Sequence, residues 1–261
     1  MKRGIKEMNI ILASGSPRRK ELLAQAGFDF EVEVSNADEN VAEESPTEMV
    51  EELAARKAEA VVNLHNKKED NCLVIGADTI VVLDGKILGK PSDEADARAM
   101  LASLSGRTHQ VYTGVALFSV KEGIIEKKTT FHECTDVTMV SMTEKEIADY
   151  VASGDPMDKA GAYGIQGLAA IFISEIKGDY YNVVGLPISR VYHEIEQFRF
   201  AAGKETLAGN KRTYICDFSR CGLNTRLYTL VSKPCSEATN IGSFISCELS
   251  LAAEVKSEFM F

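Results

Sequence analysis

Three cations stand in a row at Arg18, Arg19 and Lys20, directly behind the run Ser14-Gly-Ser-Pro17. Ser16 reads as a helix N-cap and Pro17 as the first helical residue, so the cations fall on the first helical turn. That turn carries free N–H groups and the positive end of the helix dipole, and both favour anions. Cations stacked there make chemical sense when the anion comes from outside. Backbone N–H groups and the Ser-Gly-Ser loop, Ser14 included, would cradle a phosphate, and the arginine forks would grip it bidentately. The plain alternative is a surface helix with solvated basic residues. Lys57 poses a related question. It falls in the middle of an apolar helical face made by Val50, Leu53, Ala54 and Val61, where it either snorkels to the edge or meets an anion in a cleft. Lys90, in Gly89-Lys-Pro91, precedes a helix expected to be capped by Ser92. The acid–base candidate is Asp78, expected at or near the end of the apolar strand that begins at Cys72. Open α/β sheets often carry catalytic groups at such places; a turn or capping aspartate is the alternative.

The elements that must position these residues alternate along the chain. Ile10–Leu12 reads as a buried strand. The helix opened by Pro17 has Leu22, Leu23 and Ala26 on its apolar side and is stopped by Gly27. Ser45-Pro-Thr-Glu48 is a capping box in front of the helix that bears Lys57. Ile80–Leu83, Asp84-Gly85 and Lys86–Leu88 form a hairpin with a type I′ turn. Gln110–Val120 and Thr130–Ser141 are two long strands, and Thr143 to Glu146 is a second capping box whose helix ends at Gly154. Gly161, Gly164 and Gly167 then imply a loop whose backbone approaches something closely. Asn182–Pro187 leads into a last helix ending near Phe200.

The chain of 261 residues is 45% hydrophobic and 26% charged, as soluble globular proteins are. A net charge of -10 and a pI near 5.0 argue against a nucleic-acid backbone as partner. A small polyanion needs a local basic cluster to overcome that field. No apolar run approaches the ~20 residues of a membrane span, and Met8–Ala13 is too short for a secretory signal, so no membrane partner is expected and the expected location is cytoplasmic. Cys72 and Cys134 are expected as buried free thiols. Cys216, Cys221, Cys235 and Cys247 lack C-x-x-C spacing and give little support to a zinc site. Essentially all the excess negative charge lies before residue 200. Residues 1–200 are therefore read as one domain, with a linker near 201–210 and a 201–261 tail that is poorly structured or independently stabilised. The absence of a Walker loop, G-x-G-x-x-G or H-E-x-x-H disfavours kinases, dehydrogenases and metalloproteases.

Six segments, in this order, resemble the Maf family of nucleotide pyrophosphatases: Ser14–Arg19, Arg56–Ala58, Gly76–Thr79, Gly89–Pro91, Ala160–Gly167 and Asn182–Pro187. The resemblance runs from about Ile10 to Phe198, and the tail has no counterpart in it. It implies an α/β fold with a mixed, strongly twisted sheet flanked by helices, two lobes around a nucleotide cleft, of the Maf and inosine-triphosphatase kind. It implies cleavage of a nucleoside triphosphate to monophosphate and pyrophosphate, a house-cleaning activity in a family linked to cell-division arrest. Thr79 and the Tyr163–Gln166 run are similar to the subgroup acting on dTTP and UTP. By the resemblance Asp78 is the proton acceptor, and Ser14, Arg18, Arg19, Lys57 and Lys90 hold the triphosphate. Arg18, Thr79 and Gln166 set specificity, Gln166 donating to a pyrimidine carbonyl and accepting from the ring N3–H. Glu39, with Asp78, is similar to the acidic pair that helps hold a divalent ion, magnesium or manganese. The resemblance allows a homodimer. A non-enzymatic nucleotide-binding regulator of cell division stays open as the alternative.

Overall fold

The computed structural model describes residues 9–34, 37–38, 45–65 and 71–206; the side chains of 65 and 199–206 are not among them. Glu39 and the four cysteines after residue 206 lie outside the described residues. So does most of the tail, apart from the helical turns up to Thr206. The chain divides at Phe200/Ala201 into two units, of which the first carries the sheet and the cleft.

One mixed sheet organises this unit, in the order β2-β1-β3-β5-β6-β7 with the short β4 on the far part of β3. Strand β1 (Asn9–Leu12) is parallel to β2 (Glu31–Val32) and β3 (Cys72–Leu83), and every other pair is antiparallel. β3 turns into β4 (Lys86–Leu88) through Asp84 and Gly85, both at positive φ, as the expected type I′ turn requires. β5 (Thr108–Lys121) and β6 (Ile124–Met139) form a second tight hairpin through Glu122 and Gly123, also at positive φ. The expected strands stop short of it because Ile124–Thr129 is largely polar and exposed, which hides a strand from a reading by hydrophobicity. β7 is Ile173–Lys177.

The helices are α1 (Pro17–Gln25), α2 (Pro46–His65), α3 (Glu94–Leu104), α4 (Glu144–Ala152), α5 (Tyr180–Val184) and α6 (Ile188–Thr206). α6 continues about a turn and a half beyond its expected end near Phe200, into the expected linker, because Ala201 and Ala202 are good helix formers. Caps and exposure differ from expectation at three places. The Ser16 side chain makes no capping hydrogen bond on α1; its backbone N–H donates to the Ser14 hydroxyl at 3.3 Å. Asp93, not Ser92, caps α3, accepting from the Asp96 N–H at 2.8 Å, while Ser92 is drawn onto the Asp96 carboxylate. Cys134 is exposed, since it stands on the outward face of β6; Cys72 is buried. The capping box on α4 forms as expected.

Alternation along β1 and β3 feeds two faces. Ile10, Leu12, Leu73 and Ile75 pack with α1 and α6 on one, while Ile11, Ala13, Cys72 and Val74 pack with α2 on the other. Farther along the same strands lies another core, formed by Val81, Leu83 and Val111 with α3 and α4. Asp78 and Thr79 on β3, and Thr113 on β5, fall between the two cores, which gives the two-lobed arrangement around a seam. β1 ends its pairing at Leu12↔Ile75 and β4 does not join until Val81↔Leu88, so between these registers β3 has no strand neighbour on this side. The cleft opens there. No helix among the described residues is long and apolar enough to cross a membrane.

Two glycines set the closeness of α2. A Cβ on Gly76 would overlap the Ala54 carbonyl oxygen, and one on Gly114 would overlap that of Val50. The helix backbone thus rests directly on β3 and β5, and Lys57, one turn beyond Leu53 and Ala54, comes over Asp78.

Candidate functional site

A cleft of about 940 Å³ opens at the seam. Its lining brings together Ser14, Arg18, Arg19, Lys57, Asp78, Thr79, Lys90 and Gln166, so every sequence-predicted site residue among those described lies on one wall or another. Glu39 lies outside the described residues.

Asp78 is in the interior of β3, not at its end as expected. The β-branched run Thr79–Val82 continues the strand, and Asp78 pairs with Gly114 in the β5 register. What puts it at an edge is the end of β1, a tertiary feature. Its Oδ1 accepts from Lys57 Nζ at 2.5 Å, and both side chains are only 15% exposed. Lys57 therefore reaches into the cleft instead of snorkelling, and its anion is a protein carboxylate. Among the described residues Asp78 Oδ2 has no hydrogen bond, which leaves that oxygen for a ligand or water.

Arg19 is built into the wall. Its Nε donates to the Gly185 carbonyl at 2.7 Å, Nη1 to Ser14 Oγ at 3.1 Å and Nη2 to Thr79 Oγ1 at 3.0 Å. Three fixed acceptors hold the fork rigid. Arg18 is half-buried, and its Nη2 lies 3.9 Å from Asp158 Oδ2. Lys90 and Gln166 are exposed on the rim. Their loops are tied to each other, since the Gly161 N–H donates to the Gly89 carbonyl at 3.0 Å.

The glycine-rich loop makes the close approaches its sequence implies, and they are intramolecular. Gly161 lies against Val81, Gly164 against the Lys159 stem and Gly167 against the Asp155 carboxylate. Two tyrosines pin the loop. Tyr150 donates to Asp155 Oδ2 at 2.8 Å and accepts from the Gly164 N–H at 3.3 Å, and its burial pushes the phenol pKa up. Tyr163 OH lies 2.7 Å from His109 Nε2. Burial raises the Tyr163 pKa and lowers that of His109 to about 4, so at neutral pH this is a contact between two uncharged groups.

Several residues on or behind the lining went unassigned in the sequence. Lys159 bonds the Asp155 carbonyl at 2.5 Å and Asp158 Oδ1 at 2.6 Å, which pulls the Asp158 carboxyl below its usual pKa, with a smaller contribution from Arg18. The signal for it was a charged pair directly before a glycine-rich loop. The Gly185 carbonyl gave no signal, because a backbone acceptor is invisible to a reading by residue type. Thr113, buried behind Thr79, was hidden by the apolar run around it.

In sum of charge, the cleft is lined by the cations Arg18, Arg19, Lys57, Lys90 and Lys159 and by the carboxylates Glu21, Asp78, Asp155 and Asp158. Such a site neutralises an anion at one end and offers a proton acceptor beside it. A divalent ion of the magnesium type suits this donor set: it is usually held by one or two carboxylates with substrate phosphates and water, and the cleft supplies the carboxylate in Asp78. Among the described residues no cluster of three or more His, Cys, Asp or Glu would hold a metal by itself.

A family model described as "Maf-like protein" matches residues 9–198. A dTTP/UTP pyrophosphatase of Bacillus mycoides (strain KBAB4) is 56% identical over 190 residues, covering 72% of this chain and 95% of the relative. A protein of the same name from Bacillus cereus (strain ATCC 10987 / NRS 248) is 52% identical over 198 residues, 76% of this chain and 93% of its own. Among solved structures, a nucleoside-triphosphatase / dITP/XTP pyrophosphatase from Mycobacterium abscessus aligns over 52% of this chain and 76% of its own. At 17% identity and a TM-score of 0.33, that likeness carries no weight.

Proposed function

The chain belongs to the Maf family, and we propose on that premise that it hydrolyses UTP and dTTP to the monophosphate and pyrophosphate. The activity is placed in residues 1–200. The single observation that carries the reading is the Lys57–Asp78 pair, held at 2.5 Å inside a cleft that also presents Arg18, Arg19 and Lys90. Hydrolysis of a phosphoanhydride needs two things: compensation of the charge that builds on the leaving pyrophosphate and removal of a proton from the attacking water.

Asp78 takes the water proton on its available oxygen, Oδ2. Lys57 fixes the carboxylate from the other side and lends it a positive neighbour for the phosphate. Arg18 and Lys90 bind the triphosphate directly, with the Ser14 loop and the start of α1 supplying the backbone N–H end. Arg19, already bound three ways, keeps the loop carrying Ser14 and the Gly185 turn in one place and contributes its charge from the wall. Arg18 must leave Asp158 to bind phosphate, a small cost for a 3.9 Å pair at the surface. Gln166 reads the pyrimidine through its amide, with Thr79 beside it. A magnesium or manganese ion, held by Asp78 with Glu39 as the further ligand expected from the family, would neutralise phosphate charge.

The test is a panel of nucleoside triphosphates with Mg²⁺ or Mn²⁺. UTP and dTTP should turn over well above ATP and GTP, and Gln166→Glu should lower kcat/KM for the pyrimidines far more than for the purines, because it sets an acceptor against a ring carbonyl. Turnover of no nucleotide, or the same fall for every base, refutes the assignment.

A further inference from the structure

Thr113 is fully buried in β5 and faces Thr79 in the β3–β5 register. Its Oγ1 donates to the Asn182 carbonyl at 2.9 Å, and the two threonine hydroxyls lie 2.9 Å apart. A hydroxyl has a single proton. Thr113 directs its own to Asn182, so the proton between the threonines belongs to Thr79. Thr79 Oγ1 in turn accepts from Arg19 Nη2 at 3.0 Å. The chain runs one way: Arg19 to Thr79 to Thr113 to Asn182.

Its far end is fixed. Asn182 is fully buried, and its amide donates to the Val111 carbonyl and to Thr135 Oγ1, each at 2.9 Å. Thr79, on the cleft wall, is left with one lone pair and no proton to offer a ligand.

We propose that Thr113 is a positioning residue for base selection: by taking the Thr79 proton it makes Thr79 an acceptor only, matched to the imide N3–H of uracil or thymine, with the Gln166 amide donating to a ring carbonyl and not accepting from N3–H as the resemblance implied. The inference rests on the reading that Thr79 and Gln166 face the base. Gln166 cannot make this choice alone, because its amide carries an acceptor and donors and can turn over to suit cytosine as well as uracil. A hydroxyl locked in one direction cannot turn over. Against cytosine, whose N3 is an acceptor, it sets lone pair against lone pair, and a mismatch of that kind in a desolvated site discriminates strongly.

The readout is the ratio of kcat/KM for UTP to that for CTP, measured on the full chain. Thr113→Val keeps the shape, removes the acceptor and frees the Thr79 proton, so the ratio should fall about tenfold or more. Part of the fall should be a gain on CTP, which a merely weakened fold would not produce. Thr113→Ser restores the hydroxyl and should restore the ratio. Thr79→Val deletes the acceptor on the half-buried cleft wall and should lower the ratio as well; it carries the test if Thr113→Val does not fold. An unchanged ratio in Thr79→Val, or in a folded Thr113→Val, overturns the proposal. So does an equal loss on both nucleotides. Gln166→Glu separates the two levels. If it penalises pyrimidines while the threonine variants leave the ratio alone, base reading by Gln166 stands and the role of Thr113 falls. If it penalises every base equally, the base-reading assignment fails and this inference goes with it.

Discussion

Asp78→Asn distinguishes a proton acceptor from an anchor for Lys57. The substitution is nearly isosteric, and the asparagine oxygen can still accept from Lys57, so the 2.5 Å contact loses its charge but keeps its geometry. With each side chain 15% exposed, the pair is mostly out of water. Breaking a fully buried pair costs roughly 3–5 kcal/mol; with the hydrogen bond retained and some water in reach, about 1–2 kcal/mol is expected here. At roughly 2–4 °C per kcal/mol for a domain of this size, the melting temperature should drop by only a few degrees. The chemical effect should be much larger. Losing a general base lowers kcat by roughly 10²–10⁴-fold, or about 3–5 kcal/mol of barrier. The assay pairs kcat for UTP with the affinity of UTP by calorimetry, so the fall should appear in turnover while binding stays within a few-fold. A variant with near-parental kcat would make Asp78 an anchor, and the assignment of the proton acceptor would be wrong.

Three further outcomes come from particular contacts. Gly76→Ala puts a methyl group into the Ala54 carbonyl, which as helix backbone cannot swing aside, so urea unfolding should show a loss of about 3 kcal/mol; parental stability would mean that α2 does not rest on β3 as described. Burial lowers the His109 pKa from 6.5 to about 4, so the unfolded chain takes up a proton below about pH 6.5 that the folded chain refuses until about pH 4. Its contribution to stability is therefore complete above pH 6.5 and lost as pH falls through that window, by roughly 3 kcal/mol. His109→Gln should flatten the difference, and equal pH slopes for the two proteins would contradict the burial argument. Ending the chain after Thr206 should leave UTP turnover within a few-fold, because the family match stops at residue 198; loss of turnover would put residues 207–261 in the working enzyme.

The sequence was most legible where one element carries the information. The apolar stripe of α2 located Lys57 on its inner face, and the Asp84-Gly85 and Thr143–Glu146 signals placed a turn and a cap that both form. Legibility failed where a second element decides. Asp78 is at an edge because β1 ends, which nothing in Gly76–Thr79 announces. Ser16 makes no capping bond although its position on the sequence is that of a cap, and Arg19 bonds protein oxygens that are distant in sequence: Gly185 lies 166 residues away. Thr113 looks like one β-branched residue among many until Asn182 and Thr79 are beside it. The basic cluster was read as a set of ligands for one anion. The structure divides it into an arginine built into the wall, a lysine paired with Asp78, a half-buried Arg18 beside Asp158 and an exposed Lys90 on the rim.

The central claim is that water activated by Asp78 attacks the α-phosphorus of a pyrimidine triphosphate. The direct measurement is hydrolysis of UTP in ¹⁸O-labelled water with Mg²⁺, followed by ³¹P spectroscopy and mass analysis of the products. The account predicts UMP carrying the label and unlabelled pyrophosphate, in equal amounts. Label in the pyrophosphate, or release of orthophosphate with UDP, would contradict it.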